Sequence, residues 1–271
     1  MPKLPTYHFS GRDGLELAYH EIGEGRPLVL LHGFAANASQ WVDHGSAALI
    51  AEQGHRVILP DLRGHGDSAR PHDPASYPPD VLADDGLALI DRLGLDDYDL
   101  GGYSLGGRTV LRMLVRGARP AQAIVAGQGL AAISRTTGRD GLYRRVLTAL
   151  ADRDPVEPGS AEEESARWIT LAGGDPQALL HVLDTLVATP HAALRRIATP
   201  TLVAVGEQDH DHASADALAA ALPNARFARV PGHHFTALTS PELTGAILAF
   251  LGDRPHEPGG TTGLRGRRSA P

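Results

Sequence analysis

The chain has 271 residues, of which 42% are hydrophobic and 21% charged, with a formal net charge of −7. That length lets a fold bury roughly three quarters of the unfolded surface without disulfide or metal staples. The acidic balance argues against a nucleic-acid binder, and the lack of cysteine excludes disulfide and thiolate chemistry and suits a reducing, cytoplasmic location.

The opening residues, MPKLPTYHFSGRDG, hold no apolar core of a signal peptide. No stretch approaches the ~18 apolar residues of a membrane helix. TYHFSGRDGLELAYHEIG (6–23) reads as two antiparallel strands joined across Gly11–Gly14. The runs PLVLLHG (27–33), RVILPD (56–61), YDLGG (98–102), QAIVAG (122–127) and PTLVAVG (200–206) read as further strands, and ARFARV (225–230) as another. Most lack polar alternation, as strands covered on both faces do. Helical patterns fill 40–53, 79–93, 105–117 and 241–251; the last opens with Ser240 as N-cap and Pro241 at the first helical position.

This alternation predicts an α/β fold: a mostly parallel central sheet flanked by helices. It stops after residue 127, and from 130 to 195 only helical patterns occur. Three consecutive helices exceed one crossover, so 130–195 is expected to be a helical lid over the carboxyl ends of the strands. The core then comprises 1–129 and 196–252. Residues 253–271, rich in Gly, Pro and Arg, carry no periodicity and read as a disordered tail with Arg265, Arg267 and Arg268 solvated.

One junction stands out. In DLGGYSLGGRTVL (99–111), paired glycines flank a serine between a strand and a helix. Gly102-Tyr103-Ser104-Leu105-Gly106 fits G-x-S-x-G in the context that motif requires, a turn that projects the serine hydroxyl and aims a helix N-terminus at it. A serine hydroxyl needs a base, and the base an orienting acid. After PTLVAVG comes EQDHDH, offering Asp209 and Asp211; after ARFARV comes PGHHFTAL, offering His233 and His234. The order Ser, Asp, His suits this architecture, but the residue types alone leave both pairs open. The run Asp209, His210, Asp211, His212 also invites a metal reading. Neighbours in a loop point different ways and no second ligand set has metal spacing, so neither metal nor other cofactor is expected.

On these motifs the sequence resembles the α/β-hydrolase family, across roughly residues 6–251 and most weakly over the helical insertion. The resemblance implies His234 as base, because HFTALTSPE sets it seven positions before Pro241 of the Pro-Glu pair. It implies Asp209 as acid, from G-x-x-D after the strand, and the amides of Phe34 and Leu105 as oxyanion hole, the former from His32-Gly33-Phe34. It assigns His32 and DLRGHGDS (61–68) to the scaffold. The implied activity is that of a serine hydrolase cleaving a carboxylic ester, lactone or thioester of a small-to-medium apolar substrate through an acyl-enzyme on Ser104. Perhydrolysis, carbon–carbon bond hydrolysis and amide cleavage stay open; dehalogenase and epoxide-hydrolase chemistry would need aspartate in place of Ser104. The rival from another class is a non-catalytic ligand-binding or biosynthetic accessory protein. The expected partner is a small-molecule substrate, with neither nucleic acid nor membrane. Trp168, Ile169, Leu180 and Leu183, with Phe34, Trp41 and Phe235, are candidate apolar pocket walls. Asp99 stands where family members carry an apolar residue, marking a strand end or an exposed face.

Overall fold

A computed structural model describes residues 4–136 and 140–253. The expected tail, with Arg265, Arg267 and Arg268, lies outside the described residues beyond position 253. The strands are β1 (Thr6–Ser10), β2 (Glu16–Ile22), β3 (Arg26–Leu31), β4 (His55–Pro60), β5 (Asp99–Tyr103), β6 (Ala123–Ala126), β7 (Thr201–Gly206) and β8 (Ala225–Val230). The helices are α1 (Ser39–Val42), α2 (Ser46–Glu52), α3 (Val81–Leu93), α4 (Leu105–Val115), α5 (Leu130–Ile133), α6 (Asp140–Asp152), α7 (Ala161–Leu171), α8 (Pro176–Asp184), α9 (His191–Leu194), α10 (Ala215–Ala221), α11 (His234–Leu238) and α12 (Pro241–Gly252). Among the described residues no helix is long and apolar enough to cross a membrane.

The strands form one sheet in the order β1-β2-β4-β3-β5-β6-β7-β8. β2 runs antiparallel to β1 and β4, and every other pairing is parallel. The carboxyl ends of β3, β5, β6, β7 and β8 therefore open on the same rim, where ligands of open α/β sheets bind. Covering on both faces explains the unbroken apolar runs: Leu28 and Leu30 join one core cluster, while Val29 and Leu31 join the other.

The crowding of glycine around Ser104 has a steric cause. A Cβ on Gly106 would sit 2.3 Å from the carbonyl oxygen of Leu31 on β3, and one on Gly102 would lie 2.4 Å from the carbonyl carbon of Gly106. The first turn of α4 is pressed onto two strands at distances that no side chain survives.

The structure differs from the sequence expectation in three places. The single helix expected over 40–53 is divided into α1 and α2 at Gly45, whose left-handed φ of 78° supplies the N-cap position of α2. Among the described residues the 130–195 segment holds five helices rather than three, two of them only one turn long. Asp99 is a strand end but not an exposed face: it is 1% exposed, takes two bonds from the Arg26 guanidinium and accepts the Gln122 amide at 3.1 Å.

Arg63, from the segment assigned to the scaffold, is fully buried. Its guanidinium grips Asp85 on α3 at 2.8 and 2.9 Å and Asp13 of the first hairpin at 2.6 and 2.9 Å. Such bidentate, charge-assisted pairing satisfies a charge that burial would otherwise penalise.

Replacing Gly106 with alanine should destabilise the protein by about 3 kcal/mol, lowering the melting temperature by roughly 6–12 °C. Gly245→Ala on α12, where a Cβ would meet nothing within 4 Å, serves as the control and should leave it unchanged or slightly raised. Differential scanning calorimetry of the two variants checks this.

Candidate active site

Ser104 joins β5 to α4 with φ 55° and ψ −116°, outside the regions ordinary side-chain-bearing residues occupy. The conformation is held from several sides. Its amide donates to the Ala126 carbonyl on β6 at 2.8 Å, and its own carbonyl accepts from Gln128 Nε2 at 2.7 Å and the Arg108 amide at 3.0 Å.

His234, the first residue of α11, reaches back to this turn. Its Nε2 lies 2.9 Å from Ser104 Oγ and its Nδ1 lies 2.7 Å from Asp209 Oδ2. The carboxylate can only accept, so the proton sits on Nδ1 and Nε2 is left to accept the serine hydroxyl. The Tyr103 hydroxyl donates to the His234 backbone carbonyl and fixes the start of the helix. The structure thus brings Ser104, His234 and Asp209 into one hydrogen-bonded chain. His233 faces another way: it is the N-cap of α11, accepting the Phe235 amide, with Thr236 completing a capping box. Asp211 is exposed on the one-turn helix His210–His212, and the bond to His234 comes from Asp209.

Asp209 follows β7 and its side chain is shut off from solvent. Burial pushes its carboxyl up, but bonds from His212 and His234 outweigh this and hold it well below the ordinary carboxylate range. The second donor is unexpected. His212 Nδ1 lies 3.0 and 3.2 Å from the two carboxylate oxygens, and its ring stacks on that of His234 with centroids 4.6 Å apart and planes 22° from parallel. Asp209, His212 and His234 offer ligand atoms within 4.8 Å of one another. Both Nδ1 atoms lie within hydrogen-bond distance of Asp209 Oδ2, so two imidazole donors share one carboxylate.

Leu105 opens α4, where the helix leaves its first amides without intrahelical acceptors. Phe34 follows Gly33, whose added Cβ would lie 3.5 Å from Ser104 Cβ, so this loop passes directly beside the serine. Two buried imidazoles hold the loop. His32 Nε2 accepts the Leu62 amide at 3.0 Å while Nδ1 donates to the Gly33 carbonyl. His65 Nε2 accepts the Ala35 amide at 3.1 Å, and burial pushes this imidazole down to about 3, so it stays neutral. Both are structural.

Of the candidate pocket walls, Phe34, Trp168 and Phe235 line up beside the site. Phe235 meets Trp168 at 5.7 Å and His234 at 5.5 Å between ring centroids, and Phe34 meets Tyr143 of α6 at 5.1 Å. Ile169 and Leu183 are buried in a cluster among α6, α7 and α8, with Leu180 packed against it. Trp41 is core, not wall: it is 1% exposed and packs with Leu28, Ile50 and Val57. Sequence reasoning missed Tyr143, Gln128 and His212. For His212 a signal existed, because residues three apart in a 3₁₀ turn eclipse, which sets it over Asp209.

Comparisons with known proteins agree with this architecture. The sequence profile described as alpha/beta hydrolase fold matches residues 26–137. The chain is 32% identical over 166 residues to a non-heme chloroperoxidase, CPO-A1, of Kitasatospora aureofaciens, covering 60% of this chain and 57% of that protein. It is 30% identical over 213 residues to a 2-hydroxymuconate semialdehyde hydrolase of Pseudomonas sp. (strain CF600), covering 72% of this chain and 75% of that one. The chain thus spans little more than half the length of the first relative and three quarters of the second. Among solved structures, a thermophilic esterase from Thermogutta terrifontis superposes with a TM-score of 0.73 at 25% identity, over 91% of this chain and 98% of its own.

A carboxyl held below its ordinary value stabilises the fold above the unfolded value near 4, and that contribution fades as pH falls toward the depressed one. The melting-temperature gap between the wild type and Asp209→Asn should therefore be widest at neutral pH and shrink below about pH 4. Thermal melts from pH 7 to pH 3 test this; a gap independent of pH would contradict it.

Proposed function

The chain belongs to the α/β-hydrolase fold family, and from that premise we propose that it is a serine hydrolase cleaving a carboxylic ester of a small-to-medium apolar substrate through an acyl-enzyme on Ser104. The observation that carries this reading is the His234 imidazole bonded at once to Ser104 Oγ and to the buried Asp209 carboxylate. His234 takes the Ser104 proton as Oγ attacks the acyl carbonyl. The Phe34 and Leu105 amides hold the oxyanion, aided by the positive end of the α4 dipole. Asp209 keeps the proton on Nδ1 and steadies the imidazolium. His234 protonates the departing alcohol, then activates the water that releases the acid and frees Ser104.

The substrate class rests on the walls. Phe34, Tyr143, Trp168 and Phe235 offer aromatic surface beside the serine, which suits an apolar acyl group. In this reading the helices of 130–195 act as the lid. A lactone or thioester would react by the same steps. The chloroperoxidase and semialdehyde hydrolase relatives motivate a second reading, in which the same triad serves perhydrolysis or carbon–carbon bond cleavage.

A fluorophosphonate probe should label the native protein stoichiometrically and leave Ser104→Ala unlabelled. On p-nitrophenyl acetate, His234→Ala should lower kcat/KM by about 10³-fold or more. His233→Ala should lose only a helix cap worth ~1 kcal/mol of stability and keep most activity. A folded native protein that takes no label and cleaves no ester panel would favour a ligand-binding role. Ester turnover that trails peracid formation from acetate and hydrogen peroxide would favour the second reading.

A further inference from the structure

We propose that His212 is a positioning residue that, by sharing the Asp209 carboxylate and stacking on His234, keeps the His234 imidazole free to accept a proton at lower pH than Asp209 alone would allow. This rests on the serine-hydrolase reading of Ser104 and His234. The geometry is specific: one buried carboxylate accepts from two Nδ1 atoms, at 2.7 Å from His234 and at 3.0 and 3.2 Å from His212, and the rings lie face to face at 4.6 Å.

Two consequences follow from charge. A hydrogen bond from His212 draws on the carboxylate that would otherwise be wholly available to a protonated His234. A proton on either stacked ring opposes a proton on the other. A proton held by His212 leaves His234 Nε2 able to accept from Ser104 Oγ, whereas without His212 the whole carboxylate is turned toward a proton on His234.

The titratable groups in contact with the pair are Asp209 and Tyr103, whose ring meets His234 at 5.3 Å; His210, Asp211 and His233 are their chain neighbours on the same two turns. Tyr103 is pushed up by burial and by the Asp209 charge, so it stays neutral throughout. The α5 helix against this turn carries only Leu130, Ala131, Ala132 and Ile133, and α10 adds Asp216.

His212→Phe keeps a flat ring and removes the shared bond; His212→Asn keeps a donor near the Nδ1 position and removes the proton acceptor. The acid limb of kcat/KM on p-nitrophenyl acetate, and of the fluorophosphonate labelling rate, should move up by about 0.5–1 pH unit in His212→Phe, the size expected of one hydrogen bond on one proton equilibrium. His212→Asn should show a smaller shift in the same direction. A purely structural role would lower the plateau and leave the limb in place, and that result overturns the proposal. Should the phenylalanine variant fail to fold, imidazole nuclear magnetic resonance on the wild type and His212→Asn decides. Two coupled steps shared by His212 and His234, reduced to one in the variant, are expected. Identical His234 titration in both proteins overturns the proposal. Because the resonance arm needs no turnover, an inactive enzyme would sink the hydrolase reading while the sharing of Asp209 is judged separately.

Discussion

The site depends on one close approach. The first turn of α4 sits so near β3 and β5 that Gly102 and Gly106 must lack side chains, and the residue between them, Ser104, is driven to positive φ. Strain of this kind survives only where the surroundings over-determine it. Here the determinants are a bond into β6, the Gln128 amide on the Ser104 carbonyl, and the loop of His32 and Gly33 on the other flank. The parallel sheet does the rest by opening β7 and β8 on the same rim, so Asp209 and His234 need only short turns to arrive.

Much of this was legible in the sequence, for physical reasons. Strands covered on both faces leave unbroken apolar runs, and a turn that admits no Cβ leaves paired glycines. What escaped the sequence reading was decided by contacts between distant segments. Asp99 read as a strand end or an exposed face, and nothing near it in the chain announces Arg26, which pairs with it from β3 and allows its burial at the strand end. Trp41 looked like a pocket wall because an aromatic close in sequence to the His32–Phe34 loop does not reveal which side of the sheet its helix will turn it toward. The break between α1 and α2 was hidden by apolar spacing that continues across Gly45. His233 and His234 are equivalent as residue types; only the end of β8 and the cap of α11 decide which ring turns toward Ser104.

The triad geometry is largely separate from whatever chooses the substrate. Relatives with the same fold bear the names of a chloroperoxidase, a semialdehyde hydrolase and an esterase, in keeping with folds that host many reactions. Under the proposed hydrolase reading, substrate choice would fall to the aromatic wall, drawn from four different segments: Phe34 after β3, Tyr143 on α6, Trp168 on α7 and Phe235 on α11. Such a wall has no linear motif.

Helix α8 faces two ways. Ala178 and Val182 enter the main core, with a Cβ on Gly64 only 2.8 Å from Val182, while Leu179 and Leu183 enter the smaller cluster with Val146, Leu147 and Ile169. This helix therefore rivets the sheet to the α6–α7 pair: a substitution that displaced it would loosen both interiors together and carry Tyr143 and Trp168 away from their aromatic neighbours.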